Sequence, residues 1–170
     1  MSINKRRSRR SLNPKNPLHI TLRSELAKGS RSLMRHRTHI RKVILRSSKR
    51  FEVKVYELAI CGNHLHLLIK GRRRCDIQSF FRVLAGHIAQ EILKQNPLSE
   101  KERGGAPKKG CKKNRRKFWS LLLYSRVVSW GRDFGNVSRY IIRNTLEALN
   151  LIPYRERSGR CLLKKKLHSG

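Results

Sequence analysis

Hydrophobic and polar residues alternate in several short segments of the chain. The alternation in Leu18–Arg23 predicts a half-buried strand. Two further runs rich in β-forming residues, Val53–Cys61 and His64–Lys70, are separated by Gly62 and Asn63. A short Gly- and Asn-containing break between two strand-like runs is typical of a β-hairpin. These segments therefore predict an isolated strand followed by a hairpin.

Three other segments show apolar residues at helical spacing, the first of them at residues 30–45. Asp76 is predicted to cap the second helix, which ends before Pro97. Asn136 is predicted to cap the third helix, which runs from Val137 to about residue 150. The apolar faces behind these predictions are Leu33, Ile40 and Ile44 in the first helix, Ile77, Phe81, Leu84, Ile88 and Ile92 in the second, and Ile142, Leu146 and Leu149 in the third.

A last strand-like run, Phe118–Trp130, lies between the second and third helices, so the predicted order is β-α-β-β-α-β-α. Two helices separated by a hairpin favour the α+β class, with a ferredoxin-like antiparallel sheet (β-α-β-β-α-β) and helices on one face. A C-terminal helix follows, and the other sheet face is open to a ligand. We expect one domain at residues 17–152 with a basic loop insert at about 96–117. A disordered basic arm at 1–16 and a basic tail at 153–170 are expected to flank it.

The charge of the chain points to a polyanionic partner. The 170 residues include 42 Lys and Arg and only 10 Asp and Glu, which gives a formal net charge of +32. Such an excess repels itself in a compact fold unless a polyanion neutralises it, and nucleic acid is the natural candidate. No apolar run approaches the roughly 20 residues of a spanning helix, and the basic start MSINKRRSRR is not followed by an apolar segment. We therefore expect no membrane partner and a cytoplasmic, nucleoid-associated location of bacterial type.

The basic side chains expected to contact nucleic-acid phosphates lie in the arm and in the loop insert. Contacts of this kind supply affinity without reading base sequence. The predicted contact residues are Arg6, Arg7, Arg9, Arg10, Lys108, Lys109, Lys112, Lys113, Arg115, Arg116 and Lys117.

The four cysteines, Cys61, Cys75, Cys111 and Cys161, form no C-x-x-C pair and show no regular spacing. This pattern argues against a zinc ribbon or finger and against a disulfide framework. The sequence therefore predicts reduced thiols.

Two histidines, His64 and His66, lie two apart on a predicted strand, so their side chains point to the same sheet face. Leu65, Leu67 and Ile69 alternate onto the opposite, helix-covered face. Neighbouring neutral imidazoles can bind a metal ion. An H-x-H pair by itself, however, is more typical of surface histidines.

A second polar pair, Tyr140 and Asn144, lies four apart on one face of the last predicted helix. If the opposite face, with Ile142 and Leu146, docks into the core, the helix can hold a hydroxyl and an amide oxygen towards a nearby site. An isolated pair of this kind is better explained as a packing tyrosine and a solvated asparagine.

Taken together, these motifs resemble the HUH single-tyrosine transposases of the insertion-sequence and REP-associated types. The segment GNHLHLLI (62–69) is similar to the family's Pro-Asn-His-hydrophobic-His strand, and LHITLR (18–23) to its first strand. The segment YIIRNTLEALNLI (140–152) is similar to its terminal helix. Cys61 and Gly62 replace the family's usual Met-Pro pair, and Thr145 stands where the REP-associated type often has proline.

The resemblance implies an enzyme that cuts and rejoins single-stranded or hairpin DNA as a monomer or homodimer. It implies that Tyr140 is the nucleophile and forms a 5′-phosphotyrosine, and that His64, His66 and Asn144 bind a divalent metal, Mg²⁺ or Mn²⁺. Imidazoles suit softer ions, whereas Mg²⁺ prefers oxygen. The Asn144 amide and a DNA phosphate would therefore have to supply the oxygen ligands.

Other functions fit the sequence less well. A two-metal nuclease needs several carboxylates, and the only aspartates are Asp76 and Asp133. An RNA-binding sheet usually exposes aromatic residues on its central strands, but aromatic residues make up only 6% of this chain. A member of the same family that binds DNA without cleaving it stays open. Among the other tyrosines, Tyr56 and Tyr124 are expected to be packing residues on strands, and Tyr154 lies in the tail.

Overall fold

The computed structural model describes residues 12–99, 117–120 and 124–154. The strands in this part of the chain are β1 (Leu18–Arg23), β2 (Val53–Ile60), β3 (His64–Gly71) and β4 (Tyr124–Val127). The α-helices are α1 (Arg37–Arg50), α2 (Arg74–Gln95) and α3 (Arg132–Ala148), and a 3₁₀ turn covers Gly29–Arg31. The order of strands and α-helices is the predicted β-α-β-β-α-β-α.

The four strands form one antiparallel sheet in the order β2-β3-β1-β4. Strand β3 lies between β1 and β2, as in a split βαβ unit. On β3, His66 is opposite Thr21 of β1 and Ala59 of β2. The predicted α+β class with an antiparallel sheet is thereby confirmed, and the H-x-H strand is central in the sheet.

Helices α1 and α2 cover one face of the sheet, as predicted. Every second residue of β1 and β3 points towards them, because side chains alternate along a strand. The larger core on this face includes Leu18, Ile20, Leu22, Leu65, Leu67 and Ile69 from the strands, Ile40 and Ile44 from α1, and Ile77, Phe80, Leu84, Ile88 and Ile92 from α2.

Helix α3 packs on the other face, but not through the predicted apolar residues. Its buried residues are Val137, Ile141 and Asn144, whereas Ile142 is 43% and Leu149 is 37% exposed. The predicted docking stripe was therefore wrong. This sheet face presents Ala59, Cys61 and Leu68 beside the histidines, so the helix docks through the side that also carries the polar pair.

Both predicted helix caps were wrong, because each helix begins earlier than its supposed cap. Helix α2 starts after Arg73, and Asp76 lies in its first turn. Helix α3 starts after Gly131, whose φ of 88° is easily adopted only without a Cβ. Asn136 is therefore inside α3.

The first helix and the last strand also differ from their predicted bounds. Helix α1 starts seven residues after the predicted position 30, and Leu33 is buried in the segment that precedes it. The predicted strand Phe118–Trp130 is a strand only at Tyr124–Val127 in the described residues. Phe118 itself lies outside the strand; its carbonyl accepts a hydrogen bond from Ser24 Oγ, and its ring is buried in the core. In the described part of the chain, no helix is long and apolar enough to cross a bilayer.

Candidate active site

A cleft of about 520 Å³ opens on the face of the sheet that carries α3. It lies where β1, β3 and β4 meet the first turns of that helix. Polar and charged side chains dominate its lining, which consists of His19, Thr21, His66, Tyr124, Arg126, Asp133, Asn136, Val137 and Tyr140.

His66 lies at the buried end of this cleft, and its side chain is oriented by β1. The residue is only 5% exposed. Its Nδ1 lies 3.1 Å from Thr21 Oγ1 and 3.2 Å from His19 Nε2. Because Nδ1 is engaged by these neighbours, a metal ion at this residue would be bound through Nε2.

His64 lies beside His66 on the same face, as the two-residue period predicted. The two ring centroids are 4.9 Å apart, with an interplanar angle of 86°. His64 Nδ1 lies 2.8 Å from Asn63 Oδ1, so a metal ion at this residue would be bound through Nε2. Cys61 joins the pair, since the candidate ligand atoms of Cys61, His64 and His66 all lie within 4.8 Å of one another.

Tyr140 projects from α3 against the histidines. Its ring centroid lies 5.5 Å from that of His66 and 5.9 Å from that of His19, both in edge-to-face contact. The helix is tied to β2 on either side of this residue. Ser138 Oγ donates a hydrogen bond to Glu57 Oε1 (2.8 Å), and Thr145 Oγ1 donates one to the Leu58 carbonyl (3.2 Å).

Asn144 is one turn further along α3 and is 7% exposed. Its Nδ2 donates a 2.6 Å hydrogen bond to the Tyr140 carbonyl. The amide oxygen is therefore the atom of this side chain that suits a metal ion. Asn144 does not line the cleft, and its role as a ligand stays a prediction.

His19 belongs to the cleft although the sequence reasoning did not single it out. It is 8% exposed, and burial together with the positive charge of Arg126 lowers its pKa below the ordinary histidine value. The neutral imidazole is thus favoured. The signal was present in the alternation of Leu18–Arg23, because His19 and Thr21 fall on the face opposite the buried Leu18 and Ile20.

Arg126 and Tyr124 bring β4 into the cleft. Arg126 forms an ion pair with Asp133 of α3, and the hydrogen bond from Arg126 lowers the pKa of that carboxyl. Tyr124 is 46% exposed and lines the cleft, so its interpretation as a packing residue was wrong. Strand β4 is at the sheet edge and pairs only with β1 among the described strands.

Most of the predicted phosphate contacts fall where the structure gives no description. Lys117 is described and exposed. The remaining predicted residues lie outside the described part of the chain, namely Arg6, Arg7, Arg9, Arg10, Lys108, Lys109, Lys112, Lys113, Arg115 and Arg116.

Comparison with known proteins assigns the family. The sequence matches the model of the IS200-like transposases over residues 18–144. None of the curated proteins compared with this chain matches it.

Two solved structures are similar to this chain. The structure of a REP-associated tyrosine transposase bound to a REP hairpin has a TM-score of 0.57 and 13% identity, and the similarity covers 84% of this chain and 73% of that one. A proposed transposase from Deinococcus radiodurans R1 has a TM-score of 0.48 and 14% identity, with coverage of 82% and 97%. At such identities the first similarity shows the fold alone. The family match, in contrast, spans the sheet, the cleft and α3 up to Asn144, and the chain belongs to the family of IS200-like transposases.

Proposed function

We propose that this chain is a metal-dependent endonuclease and strand transferase that cuts single-stranded DNA through Tyr140 and rejoins it elsewhere, as DNA transposition requires. The observation that carries the proposal is the contact between the Tyr140 ring and His66 in an open, polar cleft. Membership of the IS200-like transposases makes DNA the substrate class.

The donor set fits a divalent cation. His64 and His66 each have Nδ1 engaged by a neighbour, which fixes the ring and directs Nε2 to a ligand. An imidazole that ligates a metal is a neutral donor and, unlike a carboxylate, brings no negative charge that would repel a DNA phosphate. We assign these two histidines as metal ligands, and the Asn144 amide on α3 offers an oxygen donor. A bound divalent ion would polarise the scissile phosphate and offset its developing negative charge.

Tyr140 then acts as the nucleophile. Its hydroxyl oxygen forms a bond to phosphorus while the bond from phosphorus to the 3′ oxygen breaks, and the tyrosine proton ends on the released 3′-OH. The product is a 5′-phosphotyrosine, which conserves the phosphodiester energy for rejoining. Because Tyr140 contacts His66 of its own chain, one copy holds both parts of the site, and association into a homodimer stays a prediction.

The surroundings of the cleft suit a single strand. Arg126 is held by Asp133 and presents a guanidinium for a phosphate. Nearby, Trp130 is 50% exposed and stacks on Phe134, with Lys70 Nζ 5.3 Å from its ring centroid. An exposed aromatic ring beside a cation is the usual platform for an unpaired base. A hairpin with single-stranded flanks would offer such bases, and DNA as substrate is consistent with a cytoplasmic, nucleoid-associated location.

The test is a search for a covalent adduct. The full chain is incubated with single-stranded DNA from the flanks of its own gene and Mg²⁺ or Mn²⁺, and the products are analysed by denaturing electrophoresis and peptide mass spectrometry. We expect one adduct, on the peptide that contains Tyr140, and its loss in Tyr140→Phe. Tyr124→Phe is the matched control, because Tyr124 lines the same cleft.

An adduct on Tyr124 would contradict the choice of nucleophile. Tight DNA binding without an adduct on any single-stranded substrate would instead favour the non-catalytic DNA-binding alternative.

A further inference from the structure

Cys61 faces the candidate metal site because of the hairpin that joins β2 and β3. Its backbone N–H donates a 2.9 Å hydrogen bond to the His64 carbonyl across the two-residue loop Gly62–Asn63. Residues that face each other across such a loop project to the same side of the sheet. Cys61 is 8% exposed and packs with Ala59 and Ile141 on the α3 side.

We propose that the Cys61 thiolate, rather than the Asn144 amide, is the third protein ligand beside His64 and His66, and that it makes the site selective for a thiophilic divalent ion, Zn²⁺ or Co²⁺, over Mg²⁺. The inference rests on the metal site assigned to His64 and His66 in the proposed function. It is carried by the mutual distances of the three ligand atoms, all within 4.8 Å. The resemblance to other transposases does not supply it, since the usual residue at this position is methionine.

The backbone fixes the spacing of these three ligands before any ion binds. The Gly62 carbonyl accepts hydrogen bonds from the Leu33 N–H (2.8 Å) and from Ser32 Oγ (3.2 Å). The Asn63 carbonyl accepts one from the Ser24 N–H (2.8 Å). The loop is thus anchored by two other segments of the chain, and the Cys61–His64 pair is preorganised.

The donor set determines the metal preference. One sulfur and two imidazole nitrogens are softer than the oxygen ligands that Mg²⁺ prefers. Three such protein ligands with one open position are the usual arrangement of catalytic zinc, and the open position is available to a phosphate oxygen. Binding replaces the thiol proton with the metal ion, so each ion bound at Cys61 releases one proton.

Cys75 provides the contrast within the same chain. It is exposed at the start of α2, where its Sγ contacts Asp76, and the metal-ligand cluster among the described residues does not include it. Cys61, in contrast, packs against Ala59 and Leu68 and also lies beside two histidines. A purely structural cysteine would not require those histidines.

The test is a Co²⁺ titration of the full, chelator-treated chain, followed by absorption spectroscopy. We expect a near-ultraviolet thiolate-to-cobalt charge-transfer band in the wild type, its loss in Cys61→Ser and its retention in Cys75→Ser. Stoichiometric Zn²⁺ should abolish the band, whereas excess Mg²⁺ should not. The Zn²⁺ affinity of Cys61→Ser should fall about tenfold or more. Co²⁺ binding without the band, or a band that persists in Cys61→Ser, would overturn the proposal.

A second measurement does not depend on the folding of that variant. X-ray absorption of the Zn²⁺ form, in a full chain with Cys75, Cys111 and Cys161 changed to serine, should show one sulfur at about 2.3 Å. A first shell of nitrogen and oxygen alone would overturn the role of Cys61 and leave the histidine site standing. Co²⁺ binding that is unchanged in the His64→Ala, His66→Ala double variant would refute the histidine site of the proposed function as well.

Discussion

His66 depends on β1 for the orientation of its ring. Thr21 is its direct partner in the sheet register, and His19 is the next residue on the same face of that strand. Both side chains lie within 3.2 Å of His66 Nδ1. Hydrogen bonds of this kind fix the tautomer and the orientation of a metal-ligating imidazole. A substitution on β1 should therefore weaken metal binding without removing a ligand.

Thr21→Val tests this dependence. The substitution keeps the branched shape and removes the hydroxyl, so we expect the dissociation constant for the bound ion to rise about tenfold, as for other outer contacts of metal ligands. Isothermal titration calorimetry with Zn²⁺ or Mn²⁺ measures the effect. Thr38→Val is the control, because Thr38 is exposed on α1. Equal affinities for the two variants would mean that Thr21 does not position His66.

For single residues of the site, the sequence predicts those positions that depend on one strand or helix only. His64 and His66 share a face because a strand has a period of two residues, whatever it pairs with. Three further residues of the site were not predicted. His19 is there because of the register of β1, Cys61 because of the loop closure at Gly62, and Tyr124 because β4 is at the sheet edge. Those are relations between elements. The alternation of β1 places His19 on the open face of its strand, but no local pattern places it beside His66.

Helix α3 carries Tyr140, and its first turn is fixed by Asp133. The carboxylate accepts a 3.1 Å hydrogen bond from the Ser129 N–H and pairs with Arg126. A negative charge is also favourable at the N-terminal end of a helix. The start of α3 is therefore linked to β4 by one side chain.

Asp133→Asn should destabilise the fold by about 0.5–1 kcal/mol at neutral pH, the usual scale for a half-exposed ion pair at a helix start. The pKa of Asp133 is lowered in the folded state, chiefly by the hydrogen bond from Arg126. Its stabilisation is therefore present above the ordinary carboxyl pKa and is lost as the pH falls through the lower folded value.

Thermal unfolding of wild type and variant across this range measures the effect, and the gap between the two should close at low pH. Asp76→Asn is the control for a first-turn carboxylate away from the cleft. A gap that stays constant with pH would show that the Asp133 charge does not matter.

Trp130, just before α3, should contribute to DNA affinity. Replacing it by alanine removes a half-exposed ring, and the loss of one stacked base costs about 1–3 kcal/mol, or roughly 5- to 150-fold in affinity. Fluorescence anisotropy with a labelled single strand measures this loss. Tyr154→Ala is the control, since Tyr154 is 71% exposed beyond the end of α3. An equal effect of both variants would argue against a specific platform.

Element bounds show where the sequence patterns were insufficient. The apolar periodicity of α2 predicted five of its six buried residues and missed only Phe80, because the helix lies against a large apolar face. Helix α3 docks through Val137 and Ile141 while Ile142 faces solvent. Its sheet face is partly polar, so the most apolar stripe of the helix is not the one that packs. Gly131 starts the helix five residues before the predicted cap, through a backbone conformation that side-chain patterns do not reveal.

The whole chain carries a formal net charge of +32. We expect this charge to make its affinity for DNA depend on salt concentration. Each phosphate neutralised by a lysine or arginine releases condensed counterions, so log K for a single strand falls with log salt by about 0.7 per contact. Stacking at Trp130 releases no counterion. Trp130→Ala should therefore lower the affinity at every salt concentration and leave the slope unchanged.

Removing the positive charge of the first eleven residues should, in contrast, change the slope of log K against log salt. These residues contain five basic side chains, Lys5, Arg6, Arg7, Arg9 and Arg10, and changing all five to glutamine should reduce the slope by up to about 3.5 if each contacts a phosphate. Anisotropy titrations at several salt concentrations measure the slope. A variant with the same eleven residues in scrambled order is the control. Because phosphate contacts carry no base information, the scrambled arm should keep both the wild-type slope and the wild-type sequence preference. A slope that is unchanged in the glutamine variant would mean that the arm does not lie on the nucleic acid, and that the counterions are released by basic residues elsewhere on the chain.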